Sequence, residues 1–138
     1  MMKKIDKLLI LLLMIALSLI TALHKFTGDL PPEWFVKQFS SSLIGKIPFG
    51  IPASYFIIST LELAIAIVFI LSLVKMEFKS IDNLKFSELG FNLSLILFLI
   101  LFFGSFLIEN YENGFIDFGY FVFTIFLKNQ FNKKEERI

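Results

Sequence analysis

Four stretches of the chain are apolar at almost every position, and the polar residues gather between them. Leu8–Leu23 carries no charge, Ile51–Val74 carries only Glu62, and Leu89–Ile108 carries none. Gly114–Leu127 carries Asp117 and its apolar character runs on to Phe131. A helix needs about 20 residues to cross a hydrocarbon core of about 30 Å. The second and third stretches meet that length as they stand. The first meets it when Ile5 and Phe26 are included, and the fourth relies on its Phe and Tyr content and an interfacial start. The pattern predicts spans over residues 5–26, 51–74, 86–108 and 114–131.

The longest polar interval, residues 24–50, has a pattern of its own. Asp29 and Pro31-Pro32 are helix-start signals. Phe35, Phe39 and Leu43 follow at i, i+4 and i+8, with Glu33, Lys37 and Ser40–Ser42 between them. This spacing predicts a short amphipathic helix over about 32–43, lying in the interface with Trp34 as an anchor. The competing reading is an irregular aromatic loop. Gly45, Pro48, Gly50 and Pro52 then turn the chain into the second span.

The basic residues set a direction. Lys3, Lys4 and Lys7 precede the first span, Lys75, Lys79 and Lys85 lie between the second and third, and Lys128, Lys133, Lys134 and Arg137 follow the fourth. With four spans these all fall on one side, leaving Lys25, Lys37 and Lys46 on the other. The positive-inside rule then places both termini in the cytoplasm. Dropping the fourth span would put the basic tail outside, so charge supports that span independently of hydropathy. The first stretch also has the basic start of a signal peptide. Its apolar run is long for one, however, and Ile20 is bulky for the position three before a cut after Ala22, so a retained helix is expected.

Composition agrees. Hydrophobic residues make up 57% of the 138 residues and charged residues 18%, with a mean hydropathy of +0.79 and 19 Phe. A soluble domain of this size could not cover so much apolar surface. A net charge of +1 gives no field for phosphate, so nucleic acid is not an expected partner. The absence of Cys and the single His argue against disulfides, thiolate chemistry and a metal site. No phosphate loop, nucleophile elbow or other catalytic constellation is present, so no catalytic residue is assignable. The expected fold is all-α: a single membrane domain, 1–138, built as an antiparallel four-helix bundle with the interfacial helix between spans one and two.

Within that frame Glu62 stands out. A carboxylate at the middle of a span must face protein, be paired, or carry a proton. Tyr55, Ser59, Glu62 and Ala66 fall on one helix stripe, as a packed bundle face requires. Lys25 ends the first span with Ser18, Thr21 and Ala22 behind it. Asp117, Tyr120 and Thr124 share a face of the fourth. Counting residues puts Glu62 about 16 Å from the outer end of its span and Asp117 only a few ångströms deep. A Lys25–Asp117 pair near the outer surface is therefore expected, and a Lys25–Glu62 contact requires the lysine to reach inward. His24 reads as an interfacial residue, Glu88 with Asn92 as a capped helix start, and Gly104-Ser105 as a close-packing point.

The sequence His24-Lys25-Phe26-Thr27-Gly28 directly after span one, the outer loop rich in Phe, Ser and Gly, and Ser59-Thr60-Leu61-Glu62-Leu63 in span two resemble the DoxX-like family of small four-span bacterial membrane proteins. The likeness covers about residues 8–75, including the basic Lys75–Lys79 connection. Beyond that it is one of hydropathy: the histidines that often end the third span in this family are absent, and Asn113–Thr124 (NGFIDFGYFVFT) matches no general family motif. The resemblance implies the cytoplasmic membrane of a bacterium and association with membrane redox systems. The family's namesake is associated with a quinol oxidase and a thiosulfate:quinone oxidoreductase. The resemblance carries over Lys25 and Glu62 as candidate functional positions and nothing else; no cofactor is intrinsic to the chain, and any redox chemistry would come from a bound quinone or a partner subunit.

Three functions remain open at this stage. The first is an accessory or quinone-contacting subunit of a membrane redox system, with Glu62 as a proton-accepting or quinone-hydrogen-bonding group and Lys25 as its charge partner. The second is a small proton-coupled transporter. The third is a structural or assembly protein in which Glu62 only fixes packing. Beyond the lipid bilayer, the partner classes left open are a membrane or periplasmic oxidoreductase subunit and a second copy of the chain.

Overall fold

The computed structural model describes residues 3–133, and every regular element among them is helical. Lys134 and Arg137 of the basic tail lie outside the described residues. In chain order the helices are α1 (Lys4–Phe26), α2 (Glu33–Phe39), α3 (Leu43–Lys46), α4 (Gly50–Val74), α5 (Lys85–Leu107) and α6 (Tyr111–Asn132), with one 3-10 turn, Glu77–Lys79, between α4 and α5.

α1 opens with the Lys3 backbone N–H donating to Asp6 Oδ2 at 2.9 Å, and it closes with His24 and Lys25 in its last turn. Acid at the start and base at the end both complement the helix dipole. It buries Lys7, Leu11, Met14, Ser18 and Ala22, one narrow stripe at helical spacing. α4 buries Tyr55, Ser59, Glu62 and Ala66, the small and polar stripe, together with Ile58, Ile65, Phe69 and Ser72. α1 packs on α4, α4 on α5 and α5 on α6. α1 and α6 approach each other where the Lys7 ammonium lies 5.3 Å from the centre of the Phe131 ring.

The main core is apolar: Leu11, Met14, Ile65, Phe69, Phe91 and Phe131 lie at its centre. Gly90 is required there, because a Cβ at that position would sit 2.8 Å from the Phe69 ring. A second, smaller cluster joins Phe35 and Phe39 of α2 to Tyr55 of α4, with Phe35 and Tyr55 rings 5.0 Å apart.

α2 is shorter than the predicted interfacial helix. It ends at Phe39, where Ser40 Oγ donates to the Lys37 carbonyl and Ser42 Oγ to the Phe39 carbonyl. Serine hydroxyls compete for backbone partners in this way and break helices. Ser42 then caps the separate α3, and Leu43 faces outward rather than continuing the Phe35–Phe39 stripe. Trp34 is 57% exposed, with its ring 5.7 Å from that of Phe35.

Three helices, α1, α4 and α5, are long and apolar enough to cross a membrane. Only about a third of their most apolar stretches is buried within the protein. Leu9, Leu13, Ile20, Ile57, Ile67 and Phe103 are among the large side chains that point away from it. A continuous apolar exterior of this kind is not sustained in water, so this is a membrane protein. α6 is comparable in length and less apolar, with Phe115, Phe118, Phe123 and Phe126 exposed.

Candidate functional site

The Lys25 ammonium contacts Glu62 Oε1 at 2.5 Å, joining the end of α1 to the middle of α4. The Glu62 side chain is 6% exposed and that of Lys25 20%. The second carboxylate oxygen, Oε2, is buried and has no hydrogen-bond partner among the described residues. A buried acceptor left in that state costs about 1–3 kcal/mol, and more for a charged group.

Glu62 lines a cavity of about 190 Å³ bounded by α1, α4, α5 and α6. Three serine and threonine hydroxyls also line it, and each is committed to its own helix. Ser18 Oγ donates to the Met14 carbonyl, Thr21 Oγ1 to the Leu17 carbonyl, and Ser94 Oγ to the Gly90 carbonyl. None turns to Oε2, which explains its lack of a partner. Asp117 and Tyr120 of α6 form part of the same lining, and the Tyr120 ring stacks on Phe98 of α5 at 5.5 Å.

Lys25 belongs to a different space, a vestibule of about 570 Å³ that it lines with His24, Asp29, Trp34 and Tyr55. The ion pair therefore has one member on each space, and Thr21 lines both. His24 is exposed at the vestibule.

The expected Lys25–Asp117 pair does not form. Lys25 reaches inward to Glu62, and Asp117 Oδ2 instead accepts from Ser105 Oγ of α5 at 3.1 Å. α6 packs on α5, so Asp117 meets Ser105 before it can meet the end of α1. Asp117 and Glu62 both line the same cavity. A groove of about 580 Å³ between α2 and the α4–α6 helices meets that cavity at Leu101 and Asp117.

The remaining candidates are tied up locally. Ser59 Oγ donates to the Tyr55 carbonyl rather than to Glu62, and Tyr55 packs in the α2 cluster. Thr124 Oγ1 donates to the Tyr120 carbonyl.

One residue with a structural role was not anticipated. Glu77 is buried; its Oε1 accepts from the Phe86 backbone N–H at 2.9 Å, and its Oε2 from the Ser87 N–H at 2.7 Å and Ser72 Oγ at 2.8 Å. It thus caps the start of α5 from the preceding turn and ties it to the end of α4. Glu88, the expected cap, is exposed. The available signal was the residue before α5, Leu84, which has no side chain able to cap. Asn92, its expected companion, accepts from Lys128 Nζ at 2.7 Å and links α5 to α6.

Comparison with protein-family models, curated proteins and solved structures finds no match to this chain.

Proposed function

We propose that the chain is a four-span, DoxX-like protein of a bacterial cytoplasmic membrane, serving as an accessory subunit of a redox system and contacting quinone at Glu62. In this reading α1, α4, α5 and α6 cross as an antiparallel bundle, α2 lies at the outer interface, and both termini are cytoplasmic. The one-sided distribution of Lys and Arg supports that topology, as do the exposed Phe residues of α6.

The observation that carries the functional reading is a buried carboxylate in α4 that lines a cavity, with its Oε2 lacking a hydrogen-bond partner among the described residues. Lys25 holds one carboxylate oxygen and leaves the other as an acceptor for a ligand that displaces the side chains covering it. A carboxylate oxygen accepts hydrogen bonds, so it suits the hydroxyl of a quinol and can take up its proton. Aromatic and aliphatic side chains around it suit the ring.

A proton-coupled transporter is the second reading, favoured by Asp117 sharing the cavity with Glu62. The test is to purify the full chain in mild detergent and measure its thermal stability with a soluble quinol. The redox reading expects stabilisation by quinol that is lost in Glu62→Gln, and co-purification of an oxidoreductase. No quinol effect together with flux driven by a pH gradient in proteoliposomes would favour the transporter. Absence of both would leave a structural role for the pair.

A further inference from the structure

We infer that the groove between α2 and the α4–α6 helices binds a single-chain lipid with an uncharged hydroxyl head, of the monoacylglycerol kind. This goes beyond the role proposed for Glu62 and does not rest on it.

Part of the space comes from Gly104. The sequence marks Gly104-Ser105 as a close-packing point, yet a Cβ at Gly104 would meet only the Phe39 ring, at 3.8 Å. That is an ordinary contact, whereas at Gly90 a Cβ would collide with the Phe69 ring. The missing side chain at 104 therefore widens the groove instead of admitting a neighbouring helix. The surrounding walls are apolar, with Phe39 from α2, Ile58 from α4, Ile100 and Leu107 from α5, and Ile116 from α6.

Size selects one chain. A cavity of about 150 Å³ holds the six carbons of benzene, so about 580 Å³ holds about 20 carbons. That suits one chain with a small head, not the two chains of a phospholipid. Burying the chain gives no preference for the groove by itself, because the surrounding lipid is equally apolar. Hydrogen bonds to the head must supply the preference.

The polar groups of the lining select that head. Asn113 and Asp117 stand one turn apart on α6, and Gln38 comes from α2. Ser54 Oγ donates to the Gly50 carbonyl and Ser105 Oγ to Asp117, so both serine hydroxyls are engaged. Gln38 and Asn113 are exposed, and their side-chain amides have no hydrogen-bond partner among the described residues. Each amide both donates and accepts, as a hydroxyl does. An ammonium head cannot accept, so it leaves the amide N–H groups unanswered. A carboxylate or phosphate head would be repelled by Asp117, with no Lys, Arg or His among the described residues of the lining to offset it. A hydroxyl head donates to Asp117 and exchanges hydrogen bonds with the amides at neither cost.

The single Trp of the chain, Trp34, lines the groove and reports its occupant. The full chain is placed in phosphatidylcholine nanodiscs at mildly alkaline pH, where a carboxylate head is ionised and an ammonium head is still charged. Quenching of Trp34 fluorescence is followed as a monoacylglycerol with a brominated chain is added. The same brominated chain is then supplied with a carboxylate head, with an ammonium head, and as phosphatidylcholine. The monoacylglycerol should reach half-quenching at about one-tenth of the mole fraction that each of the others needs, the worth of one or two net hydrogen bonds. Gly104→Phe fills the groove from a position with room for a side chain and should remove that advantage. Gly119→Phe, placed where a Cβ meets nothing, should leave it intact. Asn113→Leu should reduce it by about threefold or more. Equal quenching by the monoacylglycerol and phosphatidylcholine would show contact with bulk lipid only and overturn the inference. So would stronger quenching by either charged head, or an advantage that survives Gly104→Phe. The comparison of heads on the unaltered chain decides the matter even if a variant fails to fold.

Discussion

Replacing Glu77 by Ala should loosen the junction of α4 and α5 and cost about 2–4 kcal/mol of stability, a figure built from its three hydrogen bonds. The Ser87 N–H lies in a fully buried residue and loses its Glu77 acceptor, at about 1–3 kcal/mol. The Phe86 N–H is half-buried, so water can reach it and its loss is smaller. The Ser72 hydroxyl can rotate to a carbonyl of its own helix and adds little. Loss of a negative charge at the α5 N-terminus adds about 0.3–1 kcal/mol. Glu77→Gln keeps one carbonyl oxygen but turns an amide N–H₂ toward a backbone donor, so its cost falls between wild type and Ala, at about 1–2 kcal/mol. The assay is unfolding of the full chain in mixed micelles with increasing denaturing detergent, followed by circular dichroism. Exposed Glu88→Ala is the control and should stay within about 0.5 kcal/mol of wild type. If Glu77→Ala also stays within that margin, Glu77 does not cap α5.

Further outcomes can be checked separately. Lys25→Met strips a buried carboxylate of its partner and should cost about 2–4 kcal/mol. The Lys25→Met/Glu62→Leu double variant should recover most of that in the same unfolding assay, and a strictly additive double variant would count against the pair. Gly90→Ala drives a methyl into the Phe69 ring and should destabilise by about 1–3 kcal/mol, with Gly119→Ala, which meets nothing, as the comparison. The chain has no native Cys, so single cysteines report topology cleanly. Ser41→Cys and Glu112→Cys should react with an impermeant maleimide on intact cells, whereas Asn83→Cys and Lys133→Cys should react only after permeabilisation. External labelling of Lys133→Cys would argue against α6 as a span.

The sequence made the long helices legible because a lipid-facing helix is apolar on nearly every side, and such runs are unmistakable against the Lys-rich connections. Glu62 stood out for the same reason: a lone carboxylate among twenty-odd apolar residues has few innocent explanations. Its contact with Lys25 was harder to anticipate. Residue counting measured each group from the end of its own helix, but α4 begins with turns that pack against α2, so its first residue is no guide to the level where α1 ends. In the proposed antiparallel arrangement the Lys25 side chain tilts back along α1 and that of Glu62 tilts toward the start of α4, so the two lean toward each other. The break between α2 and α3 was hidden because the Phe35, Phe39, Leu43 spacing ignores what three consecutive serines do to a backbone. Glu77 was illegible because its partners are N–H groups, which every sequence position supplies alike. The unpartnered Oε2 could come only from the structure, since it depends on where neighbouring hydroxyls turn.

The central claim is that the Glu62 carboxylate acts on a ligand or proton in the membrane and does more than hold helices together. The most direct measurement is complementation by Glu62→Gln in a strain where deletion of the gene has a phenotype, with membrane abundance and thermal stability of the variant measured alongside. Gln preserves size and can still hydrogen-bond to Lys25, but it cannot carry the charge or take up a proton. The account predicts a variant present at wild-type abundance that fails to complement. Full complementation by that variant would contradict it.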